Sequence, residues 1–562
     1  MLLERIYDED LAQASYFIGC QAKGEAIVVD PRRDLGVYLA LAEKHAMRIV
    51  AVTETHIHAD YLSGTRELAT KTGAQMYVSD EGGPDWRYGT DFDGAVRVRH
   101  GHRIRLGNIT IEAVHTPGHT PEHLSFLVTD GAQSSEPGFM LTGDFVFVGD
   151  LGRPDLLDEA AGFIDTRFQG ARDLFASLRD RFLTLPDYVQ VLPAHGSGSA
   201  CGKALGAIPA STVGYERSFS WWGEYLRNDD EQGFVDELLS GQPDAHAYFA
   251  RMKLENKIGP ALLGDAPELV EYTREDLAAC LADDSAILVD TRHHGEVHEG
   301  TVERSLNIPG AAKAASYGAW VYDPRVERRP LVLLAGSREE AEEMRDHLVR
   351  VGIDTVRGYV ASLDGLELTR PKIVLAEELD DFEQALLLDV RNRTEYAAGH
   401  LPGAAQLSGG RVLWNLDALP EPGAGTIVAY CQSGVRGSVT ASALRRAGYD
   451  VAELDGSYAA WSAIPGNEPV AVDDETILLD VRTAEEYATG HLEGAQLLDF
   501  SGGEVAAAIP NLDPDAEYLV YCRSGNRSGQ AIALMEQAGF TDLTDLGSLE
   551  QAARATGLPL AG

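Results

Sequence analysis

Hydrophobic and polar residues alternate along the second half of the chain in a way that predicts short strands followed by amphipathic helices. Apolar segments such as LLLDV (386–390) and TIVAYC (426–431) have the length of buried strands. Helical periodicity follows them, for example in SVTASALRRAGY (438–449). Strands that alternate with helices are typical of α/β units on a largely parallel sheet. We therefore expect the second half to be α/β.

This α/β unit is repeated. LLLDVRNRTEYAAGHLPGAAQL from Leu386 matches ILLDVRTAEEYATGHLEGAQLL from Ile477, and in both copies 42 residues separate the strand aspartate from Cys431 or Cys522. A third copy, which begins at Ile287, has Ala335 at the cysteine position. The chain thus contains three related domains, one of which lacks the thiol.

Segments rich in proline and glycine separate these copies from one another and from the N-terminal part. The length of 562 residues allows several domains at roughly 150 residues each. We expect four domains, at residues 1–258, 266–370, 371–468 and 470–562.

The first 258 residues share no repeat with the rest and carry four motifs with metal-binding side chains. The apolar strand RIVAVT (48–53) runs into THIHADY, and TPGHT, TGD and PAHGSG follow in that order. Several histidines and carboxylates placed at the ends of strands indicate a metal site. The side chains that these motifs supply are His56, His58, Asp60, His119, Asp144 and His195.

These motifs resemble the metallo-β-lactamase superfamily over residues 1–258, which implies an αββα sandwich. GDLGRPDL (149–156) and HGSGSACGKALG (195–206) extend the resemblance to persulfide dioxygenases. The resemblance implies one Fe(II) per chain, held by His56, His119 and Asp144. Such a 2-His-1-carboxylate triad leaves positions open for O₂ and a thiolate-type substrate. Outer groups that orient the ligands and bound water would be His58, Asp60 and His195.

Tyr61 departs from the superfamily pattern, in which di-metal hydrolases have a histidine directly after the aspartate. Tyrosine is a poorer zinc ligand than imidazole, so a centre with one metal ion is favoured. The alternative is a zinc-dependent thioester hydrolase of the glyoxalase II kind, fused to sulfurtransferase or sulfur-carrier modules. Tyr61 argues against that alternative.

Two further side chains near these motifs have two interpretations each. Arg153 could bind a substrate carboxylate or simply pair with Asp155. Cys201 follows His195 by six residues and could reach the mouth of the site, but a free cysteine is often a small buried apolar residue.

The loops CQSGVR (431–436) and CRSGNR (522–527) each end a predicted strand and begin a helix. Backbone N–H groups and the positive end of a helix stabilise a thiolate there, so we predict Cys431 and Cys522 to be catalytic nucleophiles. Arg436 and Arg527 would add a positive charge that binds an oxyanion such as sulfite or thiosulfate.

These loops, with the DVR…EY…GH…GA pattern before them, resemble the rhodanese (thiosulfate sulfurtransferase) superfamily over about residues 266–562. The resemblance implies three rhodanese-like domains with mainly parallel sheets. Ser528 follows the arginine in the last copy, whereas Gly437 takes its place in the other, so the Cys522 loop is the closer match. The copy with Ala335 cannot carry a persulfide and would be a spacer or an interaction module.

The domain order resembles bacterial persulfide dioxygenase–rhodanese fusions. The implied function is oxidation of a low-molecular-weight persulfide by O₂ to sulfite and thiol, coupled to sulfur transfer between persulfide, sulfite and thiosulfate, that is, sulfide detoxification. A non-catalytic alternative treats the C-terminal half as carrier or docking modules. Glutathione, coenzyme A or another thiol could carry the persulfide.

The composition limits the kinds of partner that we expect. A net charge of −41 would repel phosphate backbones, so no nucleic-acid partner is expected. No apolar run reaches about 18 residues, so no membrane span is expected. The acidic start lacks a signal-peptide pattern, and the five scattered cysteines suit a reducing compartment. We expect a cytoplasmic homo-oligomer.

Overall fold

The computed structural model describes the chain except residues 157, 159–165, 204, 265–267, 383, 465–466, 468–471, 473–475 and 562. The predicted domain limits at 266, 468 and 470 lie outside the described residues. The chain forms two compact units. One comprises Met1–Arg370 and Gly410–Leu416, and the other comprises Pro371–Gly409 and Asp417–Gly562.

The N-terminal part of the first unit contains two six-stranded sheets. The strands of the first sheet, in spatial order, are Leu2–Asp8, Gln13–Cys20, Glu25–Val29, Arg48–Thr53, Gln75–Ser79 and Val96–Val98. Those of the second sheet are Ser211–Thr212, Gln190–Pro193, Phe139–Gly143, Leu124–Asp130, Ile109–His115 and Arg103–Leu106.

Buried residues from both sheets form one apolar core, for example Ile18, Ile111 and Phe126. Helices cover the outer faces through further cores that contain Leu68 on one side and Trp222 on the other. These helices are Gly36–Lys44, Thr65–Thr72, Thr166–Ser177, Leu178–Phe182, Val213–Phe219, Gly223–Asn228, Glu231–Leu239 and Phe249–Ile258, with short turns at Pro84–Trp86 and Thr90–Phe92. The predicted αββα sandwich is confirmed.

The domain with Ala335 at the loop position also lies in the first unit, and its cysteine, Cys280, is in the helix Arg274–Ala282. Its five-stranded sheet is parallel, in the order Val270–Glu271, Val356–Val360, Leu331–Leu334, Ile287–Asp290 and Leu306–Asn307. Its helices are Arg274–Ala282, His294–Glu299, Ala311–Lys313, Ala314–Val321 and Arg338–Arg350.

The next copy has the same strand order, and its parallel strands are Lys372–Val374, Asp450–Leu454, Thr426–Tyr430, Leu386–Asp389 and Ala405–Gln406. Its helices are Ala376–Phe382, Arg393–Ala397, Gly409–Val412, Leu416–Ala418, Val435–Arg446 and Ser457–Ser462.

The last copy has the parallel strands Gln496–Leu497, Ile477–Asp480, Tyr518–Cys522 and Leu543–Ser548, and an antiparallel pair, His491–Leu492 with Leu560–Ala561. Its helices are Ala484–Ala488, Glu504–Ala508, Ile509–Asn511, Asn526–Gln537 and Leu549–Thr556. The predicted rhodanese-like α/β class is confirmed. Among the described residues, no helix combines the length and the apolar character that a bilayer crossing needs.

Buried charges join the domain with Ala335 to the sandwich within the first unit. Arg350 pairs with Asp8 at 2.7 Å and with Asp34 at 2.9 Å. The Arg350 carbonyl accepts a 2.7 Å hydrogen bond from the backbone N–H of Leu62, which directly follows the first histidine motif. The domain therefore supports the backbone of the candidate metal-binding loop.

Candidate active sites

The ends of strands from both sheets bring together the three predicted metal ligands. His56 follows the strand Arg48–Thr53, His119 follows Ile109–His115, and Asp144 follows Phe139–Gly143. One potential ligand atom from each side chain lies within 4.8 Å of the others, and all three residues are buried. Their spacing suits a single metal ion.

Hydrogen bonds set the orientation of the two histidines. His119 Nδ1–H donates to the backbone carbonyl of Arg153 at 2.9 Å, and His56 Nδ1 contacts Thr55 Oγ1 at 2.9 Å. Their Nε2 atoms lie 3.5 and 3.9 Å from Asp144 Oδ2. Burial holds the pKa of both imidazoles well below the usual value, which favours the neutral form that binds metals.

Asp144 is the clearest sign that a cation fits here. The carboxylate is fully buried, and neither oxygen has a hydrogen-bond partner among the described residues. Burial raises its pKa to about 6. An unpartnered buried carboxylate is costly, and a metal ion would satisfy it. The donor set fits a metal ion, and its identity as iron stays a prediction.

A second group of potential ligands adjoins the first. Asp60, His195 and Cys201 are buried and offer atoms within 4.8 Å of one another. His195 Nδ1 is hydrogen-bonded to the Ala12 carbonyl at 3.0 Å, and its Nε2 lies 3.4 Å from Asp60 Oδ2. Carboxylate, imidazole and thiolate are zinc ligands, so this group could hold a second ion. Sequence analysis did not place Cys201 with Asp60 and His195.

His58 and Tyr61 are directed elsewhere. His58 Nε2 lies 3.1 Å from Asp30 Oδ1, and although burial acts in the opposite direction, this pairing raises the His58 pKa to about 9. The Tyr61 hydroxyl accepts from Gln13 Nε2 and donates to the Asp30 carbonyl, each at 3.2 Å. Tyr61 thus reinforces the loop instead of supplying a ligand.

Arg153 is fully buried, and its guanidinium contacts the protein. It pairs with Asp155, with Nε 2.8 Å from Oδ1, and donates to the Pro243 carbonyl at 2.7 Å. These bonds fix the backbone carbonyl that orients His119. Binding of a substrate carboxylate by Arg153 stays a prediction.

The two predicted thiols lie at the starts of helices, as expected from the loops. Cys431 precedes the helix Val435–Arg446, and Cys522 precedes Asn526–Gln537. In each loop a glycine N–H, of Gly434 or Gly525, donates to the cysteine sulfur at 3.2 Å. Each sulfur thus accepts a backbone N–H at the start of a helix, and the role of Cys431 and Cys522 as nucleophiles stays a prediction.

The hydroxyl groups near the two sulfurs differ. Ser528 Oγ lies 3.6 Å from the Cys522 sulfur. Burial raises the pKa of Cys522, but hydrogen bonds from the backbone of Ser524 and from Ser528 outweigh it and lower the pKa below the usual value. In the other copy, Ser457 from a different turn lies 4.0 Å from Cys431. Sequence analysis did not single out Ser457.

Each loop arginine has a glutamate partner that sequence analysis also missed. Arg436 binds both oxygens of Glu395 at 2.7 Å, and Arg527 binds Glu486 at 2.7 and 2.9 Å. The pairing with Arg527 lowers the pKa of Glu486 to about 2. The repeated separation of 41 residues was the available signal. Binding of an oxyanion by these arginines stays a prediction.

Known proteins resemble both halves. The metallo-beta-lactamase superfamily model matches residues 8–195, and the rhodanese-like domain model matches residues 374–464 and 470–552. The mitochondrial persulfide dioxygenase ETHE1 of Mus musculus is 25% identical over 197 residues, which cover 35% of this chain and 68% of that protein. The Homo sapiens protein gives the same identity and coverage.

A crystal structure of a metallo-beta-lactamase from Staphylococcus aureus subsp. aureus COL is 37% identical, with a TM-score of 0.57. The alignment covers 64% of this chain and 99% of that chain. The predicted resemblance is confirmed. This chain belongs to the metallo-beta-lactamase superfamily and carries rhodanese-like domains in its C-terminal half.

Proposed function

We propose that the protein oxidises a low-molecular-weight persulfide with O₂ at a single Fe(II), and that Cys431 and Cys522 transfer sulfur between persulfide, sulfite and thiosulfate. The observation that carries the proposal is the unpartnered carboxylate of Asp144, buried beside His56 and His119. The names of the mammalian relatives support the persulfide chemistry.

The two proposed reactions balance. At the metal centre RSSH, O₂ and H₂O give RSH, sulfite and two protons. At a thiol loop the cysteine thiolate attacks the outer sulfur of a second persulfide, forms Cys–S–S⁻ and releases the thiol. Sulfite then attacks the outer sulfur, which breaks the S–S bond, restores the thiolate and releases thiosulfate. The net result is sulfide detoxification.

His56, His119 and Asp144 would hold the iron, and Fe(II) bound there would supply the sites at which O₂ and the persulfide sulfur react. The chain itself keeps both imidazoles neutral by burial, and it fixes the ring of His119 through the Arg153 carbonyl. At the thiol loops, a glycine N–H donates to each sulfur, and such donors would favour the attacking thiolate.

The competing function is hydrolysis of a thioester by two zinc ions. It is favoured by the adjoining group of Asp60, His195 and Cys201, whose donor types suit zinc. Protein purified without oxygen distinguishes the two functions. We expect about one iron per chain and O₂ uptake on addition of a persulfide, whereas two tightly bound zinc ions with thioester hydrolysis and no O₂ uptake would contradict the proposal.

A variant of the metal centre separates the two activities. His119→Ala should lose iron and reduce persulfide-dependent O₂ uptake by at least about 100-fold, because loss of a ligand exceeds the effect of losing an outer partner. Sulfur transfer from thiosulfate to cyanide should remain. The exposed His100→Ala is the matched control. Loss of both activities in a folded His119→Ala protein would refute their separation.

The partners, the cellular location and the oligomeric state are also part of the proposal. The partners are a small persulfide, O₂, sulfite and thiosulfate, in a cytoplasmic protein that forms homo-oligomers. Light scattering on the purified chain tests the oligomeric state directly.

A further inference from the structure

The helix Phe249–Ile258 places a lysine beside the candidate metal centre. Lys253 is only 8% exposed, and its ammonium lies 4.5 Å from the centre of the Trp86 ring. Lysine is rarely buried without an anionic partner. This lysine has no counterpart in the motifs from which the metal centre was predicted.

In the described part of the chain, no acceptor lies within hydrogen-bond distance of this ammonium. Among the described residues, Lys253 forms neither a hydrogen bond nor an ion pair, and its ammonium lies over the Trp86 ring in a cation–π contact. Among the acidic residues, Glu122 has the largest electrostatic effect on the pKa of Lys253. One oxygen of Glu122 accepts from the Ile57 N–H at 2.9 Å. The Lys253 side chain is largely buried, but its ammonium is not among the fully enclosed polar atoms, so an anionic ligand could reach it.

The ammonium contacts Trp86, which packs in one buried cluster with Ile57, the residue between His56 and His58. Its charge contributes to holding the pKa values of both His56 and His119 below the usual range. Burial lowers the pKa of Lys253 itself to about 8, while Glu122 and Cys201 act in the opposite direction. Most of the population is therefore cationic near pH 7.

The next turn of the same helix fixes this position. Asn256 Nδ2 donates to the carbonyls of His58 and Tyr61 at 2.8 and 2.7 Å, and its Oδ1 accepts from the Ser63 N–H at 2.9 Å. The helix that carries Lys253 is thus bonded directly to the loop that carries His56. The cation and the metal ligands are held in one rigid arrangement.

We propose that Lys253 is the substrate-binding cation of the metal centre and pairs with the anionic sulfur group itself, the persulfide sulfur on entry and sulfite before release. This inference rests on the proposed function. A carrier thiol must extend toward solvent, whereas Lys253 is largely buried on the helix that is bonded to the loop carrying His56, so we assign the reacting end of the substrate as its partner. Arg153 is already paired with Asp155.

The test compares Lys253→Met and Lys253→Arg with Lys257→Met, a change on the same helix that removes a hydrogen bond to the Asp85 carbonyl. Iron content and folding should be unchanged in all three variants. Lys253→Met should raise the KM for persulfide at least about 10-fold, the effect of losing a charged hydrogen bond. Lys253→Arg should recover part of the loss, and Lys257→Met should match the wild type.

Two persulfides with different carrier thiols show which group of the substrate Lys253 binds. Glutathione persulfide has carboxylates, whereas 2-mercaptoethanol persulfide has none. If Lys253 pairs with the sulfur anion, Lys253→Met weakens both substrates by a similar factor. A loss confined to glutathione persulfide would assign the lysine to a carrier carboxylate and overturn the proposal.

Sulfite binding, measured by calorimetry on iron-loaded protein without oxygen, provides a readout independent of turnover. We expect Lys253→Met to weaken sulfite binding at least about 10-fold. If the wild type oxidises persulfide but Lys253→Met keeps the wild-type KM and sulfite affinity, the lysine assignment fails alone. If no persulfide is oxidised while sulfite binding still depends on Lys253, the proposed function fails and the anion site stands.

Discussion

The loop at Ala335 and the loop at Cys522 occupy the same place in their sheets, but they carry opposite charges. At Cys522 the N–H of Gly525 points to a sulfur, and Arg527 follows at the fifth position. At Ala335 the fifth position is Glu340, whose own carboxylate accepts from the Gly336 N–H at 2.8 Å. A carboxylate thus takes the sequence position of the arginine and binds a backbone N–H of its own loop.

The difference shows that the domain with Ala335 lacks both the thiol and the positive charge at this loop. Its polar groups instead bind the N-terminal sandwich. Asp10 accepts from the backbone N–H of Ala315 at 2.6 Å and from the Ser316 hydroxyl at 2.8 Å, at the start of the helix Ala314–Val321. A carboxylate at a helix N-terminus is stabilised by the helix dipole.

The largest expected effect is on sulfur transfer. If only the two cysteine loops are active, the double variant Cys431→Ser, Cys522→Ser should transfer sulfur from thiosulfate to cyanide at the background rate. The domain with Ala335 is intact in this variant. Each single variant should keep part of the activity. Cys280→Ser is the control. Transfer that survives the double change would assign the chemistry to another thiol, with Cys201 the first candidate.

The second expected effect is on stability. Arg350→Ala removes one of the two arginines that pair with Asp8 and Asp34, while Arg32 stays 3.3 and 3.2 Å from them, and should cost about 1.5–3 kcal/mol of unfolding free energy. Denaturant unfolding of the iron-loaded protein measures it. The exposed Arg370→Ala should change stability little, and equal losses in the two variants would contradict a supporting role for the interface.

A smaller effect should distinguish the two active loops. Ser528→Ala, made in the Cys431→Ser background, should slow transfer about 5- to 10-fold, because one hydrogen bond is worth about 1 kcal/mol. The thiol pKa should rise, so alkylation of Cys522 should require a higher pH. Ser457→Ala in the Cys522→Ser background should have a weaker effect, since its hydroxyl is 4.0 Å from the sulfur.

The last of these changes should have no effect on sulfur transfer. Ala335→Cys, made in the double cysteine variant, should not restore transfer, because Glu340 would face the new sulfur with a negative charge. Addition of Glu340→Arg should be needed for any gain. Recovery of transfer by Ala335→Cys alone would show that the loop charge is unimportant.

Strands and repeats have local signals, so much of the architecture could be predicted from the sequence. The αββα sandwich, the three rhodanese-like domains and the convergence of His56, His119 and Asp144 depend on ordered motifs at strand ends. The partners that complete each site come from distant segments. Lys253 and Asn256 lie on a helix almost 200 residues after Tyr61, with Asn256 separated from it by 195 positions, and no local pattern connects them.

At the thiol loops, too, partners from other elements complete the site, although they are closer in sequence. The cysteines and arginines are adjacent in sequence and were predicted, whereas Glu395 and Glu486 neutralise those arginines from 41 residues earlier. Ser457 replaces the missing hydroxyl at Gly437 from another turn. Such compensation depends on packing between elements and is not visible in the loop itself.

The most direct test of the account is the division of products between the two chemistries. Iron-loaded wild type and the Cys431→Ser, Cys522→Ser double variant are supplied with persulfide and O₂, and O₂ consumption, sulfite and thiosulfate are measured together. We predict equal O₂ consumption, with thiosulfate from the wild type and sulfite from the variant. Thiosulfate formed at the wild-type rate without both cysteines, or no O₂ consumption by either protein, would contradict the account.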